Sequence, residues 1–585
     1  MQRYLLYISL FCTVLFSDIL PKEFRAATAG QLSSAISSVQ PGDTITMLNG
    51  TWSNVTVSFT ATGTAEKPIL LRAESLGAVL LNGTSALKIA GKYLTVDGLT
   101  FQNGYLTSGS VIEFRISTSV GSSYCRLTNT SIIDYNPPDS TVDVKWVSLY
   151  GDHNRVDHCY LKGKTNLGTT LVVWLAATPN YHQIDHNYFG PRPDLGLNGG
   201  ETIRVGTSDW SMYDSYTIVE NNLFEECNGE IEIISNKSCG NIYRYNTFRS
   251  CRGTLTLRHG NRCTVEGNFF FGNHVSNSGG IRIIGEDHKV FNNYISGTSG
   301  SGARSALSMM EGIPNSVASG YFQVKRAAVA NNTLVDNVYN FAVGVGKDTQ
   351  LTQPPLDCVV ANNVMYGTSS ILVTFTDTPI NMTWQSNIFF GTSTGFPSLP
   401  ARNVVADPKL AAVGADGLRH LTNASPAINK ATGSWPFIVN DMDGQVRDSL
   451  PDIGADEYST NPVVNHPLKA SEVGPGSQLT QIKSQGTVIP NSLQLYQNYP
   501  NPFNPTTRIR YQLAVKSIVS LDLYSVDGAR IASLISGREQ LSGAYAVELD
   551  AADLKLASGI YFYRLSTVSG TGQSVVRTNK MILLK

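Results

Sequence analysis

Residues 228–238 read NGEIEIISNKS, in which two carboxylates two residues apart, Glu230 and Glu232, are followed by the amine of Lys237. Their alternation with isoleucine predicts a β-strand, on which residues two apart face the same side. Carboxylates so placed repel and call for a counter-charge. They could bind a cation, act as an acid and base pair, or line a solvated face. Hard oxygen ligands close together suit calcium best, and an amide oxygen from the preceding NGGETIRVG, that of Asn198, could complete the protein's share of the shell. Acid and base work suits two glutamates on one strand less well, because glycosidase carboxylates flank the scissile bond from opposite sides. Cations follow at a similar spacing: TLTLRHGN carries Arg258 and His259, and GGIRIIGEDH carries Arg282. On separate loops these would be unremarkable solvated charges; on stacked strands they form a ladder of positive charge beside a metal.

Stacking is what the surrounding sequence predicts. Asn, any residue, then a large apolar residue recurs at Asn187, Asn222, Asn246, Asn268, Asn293, Asn332, Asn363 and Asn387. Cys227 and Cys251 share this register, as do Cys239 and Cys263. Units of twenty-odd residues with short strands, turn residues and no helical period indicate a parallel β-helix. The repeated Asn side chains would hydrogen-bond from coil to coil while the following apolar residue fills the core. The cysteines read as buried thiols rather than metal ligands, with a disulfide between coils left open. TAGQLSSAISSVQPGD places Leu32, Ala35, Ile36 and Val39 on one helical face before a Pro-Gly stop, which suits an N-terminal cap. PDIGADEY (451–458) then precedes a Pro-, Gly- and Ser-rich stretch that reads as a linker. The fold class expected is therefore all-β: a parallel β-helix with an N-terminal helical cap, then a small C-terminal Ig-like β-sandwich of short strands. The boundaries expected are a signal peptide over 1–22, the β-helix over 23–460, the linker over 461–492 and the sandwich over 493–585.

Composition narrows the partners. With 44 Lys plus Arg against 45 Asp plus Glu, no bulk field attracts nucleic acid or an anionic membrane, so an anionic partner must be caught locally. The opening MQRYLLYISLFCTVLFSDIL has a cationic Arg3 and an apolar run too short to span a bilayer, the pattern of a secretory signal; no other apolar run is long enough to span. Cys12 lies in that segment and leaves seven cysteines, an odd number without any CxxC pair, which argues against a disulfide framework, a zinc ribbon or a redox motif.

Two resemblances sharpen these expectations. YPNPFNPTT, YSVDGARI, SGIYFYRL and the terminal TNKMILLK resemble the C-terminal sorting domain of type IX secretion substrates, which implies export across the outer membrane to the cell surface or medium through that machinery. The run from NGGETIRVG through CNGEIEIISNKSCGNIYRYNTFRSCRGTLTLRHGN to GGIRIIGEDHKVFNNY (198–294) resembles polysaccharide lyase family 6, which contains alginate lyases and chondroitinase B. That resemblance implies a right-handed parallel β-helix, calcium ligation by Asn198, Glu230 and Glu232, a Brønsted base at Lys237 and an acid at Arg258. It implies substrate or neutralising contacts at Arg204, His259 and Arg282. Some members carry a second β-helix, which the sorting domain replaces here. The substrate implied is an acidic polysaccharide, alginate before dermatan sulfate, because the motif run is more like the alginate members and no extra Arg and Lys cluster for sulfate is evident. The alternatives are a chondroitinase B-like lyase, a β-helix glycoside hydrolase and a noncatalytic adhesin holding acidic glycans through the same cations. Mannuronate or guluronate preference and endo or exo action would depend on loops such as 301–325 and 395–420.

Overall fold

The computed structural model describes residues 21–584 apart from Leu197, 478–492, 499–500, 514, 541–542, 553 and 570–573. Residues 1–20 of the expected signal peptide lie outside the described residues. The first unit, within residues 1–480, is a parallel β-helix: among the described residues three sheets of 14 strands each run along it, a regular coil contributing one strand to each sheet and a hairpin adding two to one of them. Among the described strands of these three sheets pairing is parallel except where Arg115–Ser117 meets Val120–Ser123. Short strands stack because alternate residues point into one continuous core, which includes Leu127, Val156, Ile184, Val219, Tyr243, Val265 and Val290.

The asparagine repeat is a continuous ladder. The backbone amide of Asn187 donates to Asn222 Oδ1 at 3.0 Å, and the same bond links 222 to 246, 246 to 268, 268 to 293, 293 to 332, 332 to 363 and 363 to 387. It continues to Asn403, which the sequence pattern did not reveal because Val404 and Val405 give it no large apolar follower. Each side-chain amide also donates to a carbonyl of the preceding coil, as Asn246 Nδ2 does to Val219 O at 2.9 Å, so the buried turn leaves its polar groups paired. All seven cysteines after Cys12 are free and buried, packed among backbone carbonyls. The helix Ala29–Ser38 closes the N-terminal end, with Leu32 and Ala35 buried and Thr28 Oγ1 accepting from the Gln31 amide. Trp384, Phe375 and Phe396 close the other end in edge-to-face contacts.

Two segments differ from the sequence expectation. PDIGADEY does not extend the helix; Ile453 and Ala455 pack on the outer face of one sheet, against Val364, Ile388, Tyr294 and Val335. The polar linker expected from 461 is docked up to residue 477: Leu468 and Val473 are buried against Tyr188 and Leu223, and the Leu468 amide donates to Thr247 Oγ1 at 2.8 Å. Two apolar residues, with the hydrogen bonds beside them, fasten this polar stretch, which a composition average conceals. The second unit, within 481–585, has two antiparallel sheets of three and four strands about a core that includes Ile509, Val519, Leu521, Leu549, Tyr563 and Leu565.

Candidate active site

One sheet carries the charged residues singled out by sequence. Strands Ile203–Gly206, Glu232–Lys237, Thr254–His259 and Ile281–Ile283 pair in that order, with Arg204 opposite Ser235, Ser235 opposite Thr256, and Thr256 opposite Arg282. Their neighbours Ile203, Ile234, Leu255 and Ile281 fill the core, so this row faces outward. Glu230 is not on the strand, which begins at Glu232. A register shift between Glu232 and Ile234 buries both Ile233 and Ile234 and returns Glu232 to the outer face shared by Ser235 and Lys237. A second shift leaves Arg258 as the unpaired residue, with Lys237 opposite His259 and Asn236 opposite Leu257. Both are β-bulges, and here they aim the side chains that a regular ladder would misplace.

Two loops complete the site. An ideal Cβ on Gly200 would lie 2.3 Å from Gly229 O, so only glycine lets the segments before Glu201 and before Glu230 come so close. Arg192, 2% exposed, props the first segment, donating to Glu201 O at 2.9 Å and to Asn166 O and Gly168 O at 2.8 Å. The result is three neighbouring carboxylates, Glu230, Glu232 and Glu201, close enough that the other two act on the charge of Glu230. Burial first, then Glu201 and Glu232, push the Glu230 carboxyl up to about 8. Glu201 Oε2 is buried with no hydrogen-bond partner, and its Oε1 stands 3.7 Å from Lys237 Nζ. Asn198 is exposed on the same loop, beside Gly199, whose amide donates to Glu230 Oε2 at 3.2 Å. Repelling hard oxygens with an orphaned lone pair fit a divalent, oxygen-seeking cation such as calcium.

The cations flank this cluster. Glu232 Oε1 lies 3.5 Å from Arg282 and 3.8 Å from Arg258, while Ser235 Oγ donates to its other oxygen. Arg258 donates to Gly320 O at 3.0 Å and lies 4.0 Å over the Tyr321 ring; burial lowers its pKa from the ordinary value. Arg282 donates to the Tyr321 hydroxyl at 2.9 Å. Arg204 sits 5.3 Å over the Trp174 ring. Among the residues expected as substrate or neutralising contacts, His259 differs in its charge. It is 1% exposed, and burial together with Arg258 and Lys237 pushes its imidazole down to about 3, so it is neutral and touches Arg258 at 3.3 Å and Ser208 Oγ at 3.3 Å. Sequence reasoning missed Glu201 and Tyr321. Glu201 stood inside the NGGETIRVG motif and could have been found as the acidic residue one coil before Glu232, whereas Tyr321 arrives from a long loop that carries no repeat signal.

Comparison with known proteins agrees with this architecture. Residues 26–398 match the Chondroitinase B family, and residues 497–581 match the secretion system C-terminal sorting domain. That second match marks the chain for export to the cell surface or beyond. Among solved structures, a mutant of the PL6 family alginate lyase AlyGC is 38% identical with a TM-score of 0.69, covering 77% of this chain and 58% of that one. A mannuronic acid specific polysaccharide family 6 lyase from human gut microbiota is 32% identical with a TM-score of 0.57, covering 64% of this chain and 87% of that one. The PL6 family polysaccharide lyase Pedsa3628 from Pseudopedobacter saltans is 26% identical with a TM-score of 0.59, covering 77% and 99%. The chain thus spans about three fifths of AlyGC's length. No curated protein matches. Among the described residues no helix is long and apolar enough to cross a membrane. With the family match running from the first coils almost to the last, on a β-helix that gathers carboxylates, lysine and arginines on one sheet, this chain belongs to polysaccharide lyase family 6, the chondroitinase B family.

Proposed function

We propose that this protein is an exported lyase that cleaves alginate by β-elimination, with calcium held by Glu201, Glu230 and Glu232 and an amide oxygen from Asn198. The observation that carries the reading is the convergence, about one sheet face, of an amine, a partly desolvated guanidinium and three neighbouring carboxylates, of which Glu230 is buried and raised by the other two. Elimination removes the proton on C5 of a uronate, beside an ionised carboxylate, and expels the glycosidic oxygen on C4. Bound at the carboxylate cluster, calcium would supply positive charge to the substrate carboxylate and to the enolate that develops from it. Lys237 Nζ takes the C5 proton, the C4–O bond breaks, and a C4–C5 double bond forms. Arg258 delivers a proton to the departing oxygen, a role eased by the burial that lowers its pKa. Arg282 and Arg204 hold the acidic chain along the outer row, while neutral His259 fixes the Arg258 guanidinium.

Alginate is favoured over dermatan sulfate by the alginate lyases among the relatives and by the absence of an extra Arg and Lys cluster in the sequence. Incubation of the purified protein with alginate and, separately, with dermatan sulfate tests the reading. Ultraviolet absorbance from unsaturated uronate ends on alginate is the expected result. The same signal on dermatan sulfate alone would reassign the substrate. Reducing ends without absorbance would mean hydrolysis, and retention of the polymer without cleavage would mean an adhesin.

A further inference from the structure

Away from the catalytic sheet, residues 406–458 cover the outer face of a different sheet, the one containing Phe269–Phe271 and Tyr294–Ser296. Three separated pieces of this strap press one apolar residue each onto that sheet: Leu418, Met442 and Ala455 are buried with Phe269, Phe271, Tyr294 and Val335. A side chain close after each anchor turns toward a common point. His420, Asp443 and Asp456 present one ligand atom apiece within 4.8 Å of one another. His420 Nε2 and Asp443 Oδ2 are 2.9 Å apart.

The acidic residues around this point are otherwise committed. Asp441 accepts from the amides of Asp443, Gln445 and Glu457. Asp452 accepts from those of Asn429 and Tyr458. Glu457 is paired with Arg447 at 3.0 Å. Asp443 is the exception: it is 2% exposed, and its Oδ1 is buried without any hydrogen-bond partner. A carboxylate oxygen so deeply placed loses its hydration with nothing to replace it, a cost of the size that keeps such groups rare. The His420 bond satisfies the other oxygen only, and Asp456 accepts from the Leu421 amide through Oδ2, whereas a cation among the three side chains would give Asp443 Oδ1 the partner it lacks.

We infer that His420, Asp443 and Asp456 form a binding site for a divalent transition ion of the zinc type, which would pin the three pieces of the strap to one another. One imidazole and two carboxylates make a nitrogen and oxygen donor set that suits zinc, while calcium prefers six to eight oxygens. Bonds of about 2 Å in a tetrahedral shell put ligand atoms roughly 3.3 Å apart. The observed span therefore needs adjustments of only about an ångström or so. His420, whose side chain is 34% exposed, leaves a route for the ion and room for a water as fourth ligand. This inference is independent of the alginate reading, because none of the three residues belongs to the catalytic sheet.

The test titrates zinc chloride into the metal-stripped full-length protein, followed by elemental analysis after dialysis and by the melting midpoint. One zinc per chain that excess calcium does not displace, together with a raised midpoint, is expected. A Glu230→Gln/Glu232→Gln double variant should keep that zinc. Asp443→Asn and His420→Gln should each lose it and the thermal gain with it. Should Asp443→Asn fail to fold, the partly exposed His420→Gln decides. Zinc retained in full by His420→Gln, or no zinc retained by the wild type, overturns the site and leaves a His420–Asp443 ion pair.

Discussion

At the scale of single residues, the site depends on charges that would not be tolerated alone. Lys237 and Arg258 stand on the outer face, and neither side chain contributes to the core, so Lys237→Ala and Arg258→Ala should each lower kcat by about 10²–10⁴-fold or more while the melting midpoint stays near that of the wild type. Turnover close to wild type in either variant would reassign the base or the acid. Tyr321 offers the sharper discrimination, since its hydroxyl is a further proton-bearing group in contact with the cations. Tyr321→Phe keeps the ring under Arg258 and removes one hydrogen bond from Arg282; a loss of about tenfold is expected. A loss as deep as that of Arg258→Ala would make the phenol the acid. Chelation addresses the carboxylates: activity should fall sharply and return with calcium better than with magnesium, whose octahedral demands suit a loose oxygen cluster poorly. Glu230→Gln and Glu232→Gln should start low and respond to neither ion; full activity after exhaustive chelation would leave Arg258 and Arg282 as the neutralisers.

At the scale of elements, the stacked coils turn single substitutions into ladders, and one ladder has a clear pH signature. Arg126 donates to Asp157 at 2.7 Å, and Arg155 donates to Asp185 at 2.8 Å, with both carboxylates almost fully buried. Burial works to raise both acids, but the arginine hydrogen bonds, joined by His158 and His186, hold both below the ordinary 3.8. A carboxyl whose folded value is depressed stabilises the fold fully above its unfolded value, and that contribution is lost as pH falls toward the folded one. Melting midpoints should therefore drop steeply below about pH 3.8, and Asp157→Asn should flatten that slope while costing about 2 kcal/mol at neutral pH. An unchanged slope in the variant would place the acid sensitivity elsewhere. The coils from Asn187 onward were legible in the sequence because each of their turns had to meet the same demand: a buried Asn with both amide functions paired. The bulges at Ile233 and Arg258 were not, because a bulge changes which face a residue takes without changing its neighbours in sequence. Thus Glu230 and Glu232 were read on one strand, whereas the strand begins at Glu232, and His259 was counted among the cations, whereas burial lowers its pKa to about 3.

At the scale of the whole molecule, the sequence distinguished a repetitive unit from a non-repetitive one by texture, but texture averages over the residues that decide where a unit ends. Residues 461–477 are polar on average, yet Leu468 and Val473 insert against Tyr188 and Leu223, the Leu468 carbonyl accepts from Arg249 at 3.3 Å, and the Gly474 amide donates to His186 O at 2.9 Å. Burial of a Leu or Val side chain contributes about 1.5–3 kcal/mol, so these two anchors outweigh the modest entropy of ordering a short strap along a rigid surface only if they act with the hydrogen bonds beside them. Two truncations separate the functional boundary from the compositional one. Removal of 478–585 should leave the melting midpoint of the β-helix and its turnover of alginate unchanged, because the sandwich has its own core. Removal of 461–585 uncovers Tyr188 and Leu223 and should lower the midpoint measurably, with kcat preserved because the strap lies on a different sheet from the catalytic row. Equal midpoints for the two truncations would mean that the strap is a passenger; loss of turnover on removal of 478–585 would make the sandwich part of the catalytic unit.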